Sequence, residues 1–340
     1  MKRDFDDRKI LIGMIGGAAL IVVTMITAIF LVSRRPVVVV VPGADNAGRS
    51  GVAGPADSAA AGSPSTTIAV PEGPPPEITV AKVAAAPAIE DPLDPAWDKF
   101  AAVEVDLQPQ TVAEPMLASA TVSKLRVQAV RDDNRYAWRL NWAKAQPADV
   151  SEIGRFSDAV AMQFPLVDGA PYTMGGPGMP VRMLHWKAVW QRDVDEGFQG
   201  LAALYPNTDV DLYWFAQGKR PHAASGSLDN PQAQQWMIAA QADNPMADTS
   251  REHPIEELTA HGFGSSAHVE GTSSRARGVW SDGQWYVVID RPINANDPLI
   301  ERFDSDPDKQ MIAFAVWDGD NANRGGRKHI TNWLPMRIAP

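Results

Sequence analysis

Apolar residues are laid out along this chain in three ways. Residues 10–32 form an unbroken run of 23 positions without a charge. At about 1.5 Å per residue the run makes a helix of roughly 34 Å, enough to cross a hydrocarbon core of about 30 Å. Lys2, Arg3, Arg8 and Lys9 precede it, and Arg34 and Arg35 follow. A cleaved signal peptide is the competing reading. The run exceeds the usual core of about 7–15 residues, and no small-x-small cleavage site follows it. The pattern predicts a cytoplasmic tail over 1–9 and one transmembrane helix over 10–32. The flanking charge sets that orientation only by a small margin.

The second pattern has no periodicity. Residues 36–95 hold eleven prolines among Ala, Gly, Ser and Val. Proline fixes φ and lacks a donor N–H, so the run 71–76 (PEGPPP) is not helical. Too little patterned apolar surface is present to offset the entropy of ordering. A flexible linker over 33–95 is expected, with an end-to-end span of about 45 Å as a coil.

The third pattern has period two. Leu125, Val127 and Ala129 alternate with Lys124, Arg126 and Gln128. After the turn cluster Asp132, Asp133 and Asn134, the apolar Tyr136, Trp138, Leu140 and Trp142 alternate with Arg139 and Asn141. This predicts a hairpin with one buried face. Further strands are expected over 159–164, 181–186, 285–289 and 311–317. Short helices are expected over 231–240 and 254–260. Many aromatic strands separated by Gly, Pro and Asp turns predict a mainly β fold, an antiparallel β-sandwich over 96–340 with few short helices.

Composition narrows the chemistry. A net charge of −10 argues against a broad nucleic-acid surface. The absence of cysteine excludes disulfides, thiolate metal sites, iron–sulfur clusters and thioether-attached haem in this chain. No HExxH, GxSxG or GxxxxGK[ST] occurs. His253, Glu257 and His261 share a helical spacing that would present three donors on one face, but Gly262 and Gly264 stop a helix there. A solvated helix face is the better reading. Residues 318–323 (DGDNAN) resemble a calcium loop yet lack a glycine in place and a closing Glu, so a polar hairpin loop is expected.

Two segments remain unusual. Residues 171–181 form a loop rich in Gly and Pro around Met174 and Met179, leading to His185, Trp186 and Lys187. The strand 313–317 empties into residues 324–333 (RGGRKHITNW). Spacing alone leaves Met174 as core filler and Lys328 as a surface charge.

Taken together and in order, five segments resemble a known family: 158–165 (DAVAMQFP), the Met174-Gly175 loop ending in Trp186-Lys187-Ala188, 257–264 (ELTAHGFG), 285–291 (WYVVIDR) and the 313–333 block. The resemblance is to the haem-binding gamma subunits of ethylbenzene dehydrogenase and dimethylsulfide dehydrogenase, relatives of the molybdenum-containing dimethyl sulfoxide reductases. It covers roughly 96–340.

The resemblance implies a β-sandwich that holds one haem b noncovalently, with Met174 and Lys328 as axial iron ligands. His329, His185 and Met179 stay open as alternatives. It further implies a non-catalytic electron-transfer subunit with molybdopterin and iron–sulfur partner subunits, and a quinol-linked or cytochrome electron partner. With the predicted anchor, the expected place is the inner membrane, single-pass, with the C-terminal domain on the periplasmic side. Family subunits are usually soluble, so the anchor is a departure. Two alternatives stand beside this reading: a non-redox, carbohydrate-binding sandwich, and a tethered assembly or docking subunit.

Overall fold

The computed structural model describes residues 74–198, 203, 205–207, 238–242, 244–271, 273–294 and 296–340. The expected tail, transmembrane helix and linker through residue 73 lie outside them, as do residues 231–237 of one expected helix. Among the described residues no helix is long and apolar enough to cross a membrane.

The elements run β1 (Ile78–Lys82), β2 (Val103–Asp106), β3 (Gln108–Pro109), β4 (Lys124–Arg131), β5 (Arg135–Ala143), β6 (Ala159–Pro165), β7 (Val181–Lys187) and α1 (Ala188–Glu196). They continue with β8 (Ile255–Ala260), β9 (Ala267–His268), β10 (Arg275–Ser281), β11 (Gln284–Pro292), α2 (Pro298–Ser305), β12 (Gln310–Trp317), β13 (His329–Ile330) and β14 (Leu334–Ile338). The chain is therefore mainly β with few helices, as the alternation predicts.

The strand order is β10-β11-β5-β4-β1-β14-β12-β6-β7-β8-β9, with β2 on β4, and β13 on β12 and β3. Strand β12 belongs to two ladders. Its first residues, Gln310 to Ile312, pair with β14, and Ala313 to Trp317 pair with β6. The two arms of the sheet meet there and face each other. Trp138 on β5 packs on Phe164 of β6 at 5.6 Å between centroids, and Trp186 on β7 packs on Trp285 of β11 at 5.0 Å. One apolar core of alternating residues fills the space between them.

Four expectations are corrected. First, the linker ends early. Strand β1 lies inside the expected 33–95 stretch, and it pairs in parallel with both β14 and β4, so the sheet is not wholly antiparallel. Second, the 124–143 hairpin is buried on both faces. The segment after β1 covers its outer side through Ala86, Ile89 and Trp97, which pack on Val130, Ala137 and Val288. Gln128 Nε2 donates to the carbonyls of Trp97 (2.7 Å) and Phe100 (2.8 Å), and Arg139 donates to Gln128 Oε1 (2.8 Å). These bonds satisfy polar groups that alternation alone had assigned to solvent.

Third, residues 254–260 form β8 and not a helix. Leu258 and Ala260 pack with Val181 and Met183 on the cavity side while the strand pairs with β7. Glu257 is thereby separated from the histidines at 253 and 261. It is buried against Arg182 (2.9 Å), Arg291 and Ser274 (2.5 Å). Fourth, α1 follows directly on β7, where no helix was expected. Its first amides find partners across the chain: Ala188 N donates to Asp158 O (2.9 Å) and Val189 N to Ser157 Oγ (2.9 Å). Such bonds replace a local N-cap.

The 318–323 loop is the polar turn expected. Lys144 Nζ sits among Asp318 (2.7 Å), Asp320 (2.8 Å) and Asp158 (3.3 Å). Burial opposes the charge, but hydrogen bonds to Asp318 and Asp320 outweigh it and hold the amine protonated. An internal ammonium thus neutralises the carboxylates.

Gly278 on β10 has no room for a side chain: a Cβ there would fall inside the Trp186 indole. Trp186 is itself wedged against Trp142 and Trp285 and cannot yield cheaply. Gly278→Ala is expected to cost about 1–3 kcal/mol by overpacking, read as a lowered denaturant midpoint. An unchanged midpoint would show that the indole moves freely.

Candidate functional site

Strand alternation gives one arm of the sheet two distinct faces. On β6, β7 and β12 the inner face carries Val160, Met162, Leu184, Trp186, Ile312 and Val316 in the core. The outer face carries Ala161, Gln163, Met183, His185, Ala313, Ala315 and Trp317, which line a cavity of about 490 Å³. The register sets His185, Ala161 and Ala315 side by side across three strands. The small side chains of Ala161, Ala313 and Ala315 make a flat, shallow floor between Trp317 and Met183. The walls are loops: residues 110–115, 172–174, 263–266 and 325–328 all contribute.

The Met174 loop is locked from both sides. Gly175 N donates to Pro171 O (2.9 Å), and Gly262 N donates to Met174 O (2.7 Å). Gly176 and Met179 bond each other in both directions across Pro177-Gly178, a turn with proline second and a positive-φ glycine third. At Gly175 (φ 75°) a Cβ would press on the carbonyl oxygens of Met179 and Ala260. Met174 itself has φ 67°, in the left-handed region. For a side chain other than glycine this costs about 1–2 kcal/mol, a strain that clusters at functional sites.

The Lys328 segment is held as tightly. Arg324 and Arg327 close a tight turn by mutual hydrogen bonds, and Gln110 N donates to Lys328 O (2.9 Å). The Gln110 side chain is a latch: Nε2 donates to Ala113 O and Gly326 O (both 2.8 Å), while Oε1 accepts from Val112 N (2.5 Å) and Ala113 N (2.8 Å). It ties two cavity walls together, and nothing in its sequence neighbourhood marks it.

These loops bring Lys328 Nζ to 3.8 Å from Met174 Sδ, and to 5.1 Å from the Trp317 ring centroid. Burial pushes the Lys328 amine down to about 8. Of the alternatives, His185 lines the same cavity. Its Nδ1 lies 3.4 Å from Glu256 Oε1, its ring lies 4.8 Å from that of Trp317, and burial followed by the nearby Lys187 charge pushes it down to about 4.

His329 points the other way and is fully engaged. Its Nε2 accepts from Thr121 N (2.9 Å) and Val122 N (3.2 Å), and Nδ1 faces Val316 O at 3.1 Å. Met179 packs in an apolar cluster with Val181, Met183 and Ala260. Among the described residues no group of three or more His, Asp or Glu is placed to hold a metal ion.

Known proteins bear on this arrangement. Residues 94–329 match the family model described as ethylbenzene dehydrogenase. A Haloferax mediterranei protein, provisionally named a respiratory nitrate reductase heme subunit (ORF7), is 26% identical over 78% of this chain and 74% of its own length. The chlorate reductase subunit gamma of Ideonella dechloratans is 26% identical over 66% of this chain and 68% of its own. The dimethylsulfide dehydrogenase subunit gamma of Rhodovulum sulfidophilum is 29% identical over 36% of this chain and 49% of its own. A family 9 carbohydrate binding module of Caldicellulosiruptor kristjanssonii, solved with glucose, superposes with a TM-score of 0.33 at 8% identity over 78% of this chain and 96% of that one, a likeness too low to carry an argument. The family match spans well over half the sequence and takes in both the Met174 loop and Lys328: this chain belongs to the ethylbenzene dehydrogenase family.

Proposed function

We propose that this chain is the haem b electron-transfer subunit, of the gamma type, of a molybdoenzyme-class oxidoreductase complex. We further propose that residues 10–32 anchor it in the inner membrane with the folded part on the periplasmic side. The observation that carries the reading is the pairing of a thioether and a half-buried amine, 3.8 Å apart, over an apolar floor. The two donor atoms, 3.8 Å apart, are near enough that one metal ion could be held by both. The flat alanine floor suits a planar group, and the cavity volume is of the order usual for a cofactor site.

When bound, haem b supplies a one-electron iron couple. The protein's own residues do the rest. Met174 presents sulfur, a soft donor that favours the ferrous state and so raises the potential. Lys328 presents nitrogen and binds only as the neutral amine. Burial has already moved it toward that form, and a metal completes the deprotonation. Held by two protein donors, Met174 and Lys328, the group would carry electrons and leave no donor position for a substrate. Ala161, Ala313, Ala315 and Trp317 keep the site dry. Electrons would run between molybdopterin and iron–sulfur subunits and a quinol-linked or cytochrome partner.

Two outcomes are expected. Full-length protein purified in detergent and supplied with haem should show a six-coordinate, low-spin Soret spectrum. Met174→Ala or Lys328→Ala should convert it to a high-spin form, and spectra left unchanged by both would contradict the assignment. The low-spin form should also fade as pH falls, because protonating Lys328 releases it. The midpoint should lie below about 8, since the metal competes with the proton. A low-spin spectrum that instead weakens as pH rises would exclude an amine ligand.

A further inference from the structure

Several polar side chains that line the cavity bond within the protein. Gln163 Nε2 donates to Tyr172 O (2.9 Å), Thr331 Oγ1 accepts from Phe314 N (2.9 Å), and Gln110 is saturated as described. His185 Nε2 is buried without a hydrogen-bond partner, and of the buried side-chain nitrogens in that state among the described residues it alone lines this cavity. Leaving such an atom unpaired costs about 1–3 kcal/mol, so its partner belongs to whatever fills the cavity.

We infer that His185, backed by Glu256, is the anchor for a carboxylate of the cavity's ligand. The inference rests on the haem reading: haem b has two carboxylates and no side-chain donor to offer a bare imidazole nitrogen. Nδ1 faces Glu256 Oε1 at 3.4 Å, so that carboxylate fixes which nitrogen is turned to the cavity. A ligand carboxylate at Nε2 completes a carboxylate–imidazolium–carboxylate bridge, with a proton on both ring nitrogens.

The charges around His185 come from several elements. Glu256 is on β8. Lys187 on β7 (3.3 Å) and His268 on β9 (4.0 Å) both face Glu256. Lys328 lies across the cavity and opposes protonation. Trp317 of β12 and Trp190 of α1 flank the ring at 4.8 and 6.3 Å, with Arg251 stacked on Trp190 at 4.4 Å. Without a ligand, burial keeps His185 neutral near pH 7. A second carboxylate raises its pKa, so ligand binding takes up one proton from solvent. By linkage, a proton taken up on binding strengthens binding as pH falls.

The test compares iron protoporphyrin IX with its dimethyl ester, which keeps ring and iron but removes the carboxylates. Binding is read by Soret titration of the full-length protein. The wild type should prefer the free acid by about tenfold or more at pH 6, as expected for a hydrogen bond between charged groups, and by less at pH 8. His185→Leu should erase the preference at both pH values. His185→Gln, which can still donate but cannot titrate, should keep part of the preference and lose its pH dependence. A wild type that binds both porphyrins equally, or a His185→Leu protein that keeps the wild-type ratio, overturns the anchor while leaving the haem reading intact. A wild type that takes up neither porphyrin overturns both.

Discussion

A half-buried lysine amine without a carboxylate partner lies against a thioether sulfur. Among the described residues no ion pair involves Lys328, and burial alone lowers its proton affinity. A buried, unpaired ammonium is among the most costly groups a fold can hold. The cost is avoided if the amine works as a neutral donor to an electrophile, and a second, softer donor, Met174 Sδ, lies 3.8 Å away. The surrounding structure serves to hold these two atoms at one place: the left-handed Met174, the clamped Gly175 and Gly262, the Gln110 latch, and His329 turned inward to pin the chain beside Lys328.

The fold makes this possible by using one strand twice. Strand β12 leaves β14 after Ile312 and joins β6, so its inner residues close the tryptophan core while its outer residues floor the cavity. Core stability and site geometry are therefore coupled through the same backbone. The core face is packed with large residues, and Trp186 fills the place where Gly278 has no side chain. The cavity face is low at its centre, with alanines at 161, 313 and 315. A flat group can come close to the sheet only on that side.

Much of this was legible in the sequence, for identifiable reasons. The 124–143 hairpin and the strands at 159–165, 181–187, 284–292 and 310–317 carry strong alternation, which survives translation into structure. Strand β1 was hidden because its few residues follow a proline run and pair in parallel with strands distant in sequence. Strand β8 read as a helix because Glu256, Glu257 and Thr259 look polar; in the fold Glu257 is neutralised by Arg182 and Arg291, partners no local pattern announces. The candidate ligands were legible only through family resemblance, since spacing alone leaves Met174 and Lys328 as ordinary residues. Gln110 and Glu256 act through contacts with residues far away in the chain, which no local pattern announces, whereas His185 stood among the alternative ligands.

The central claim is that sulfur from Met174 and nitrogen from Lys328 share one iron. X-ray absorption at the iron edge of the haem-loaded, full-length protein addresses it directly. The account predicts one sulfur scatterer beside the porphyrin and axial nitrogens, lost on replacing Met174. An iron site with nitrogen and oxygen neighbours only would contradict it.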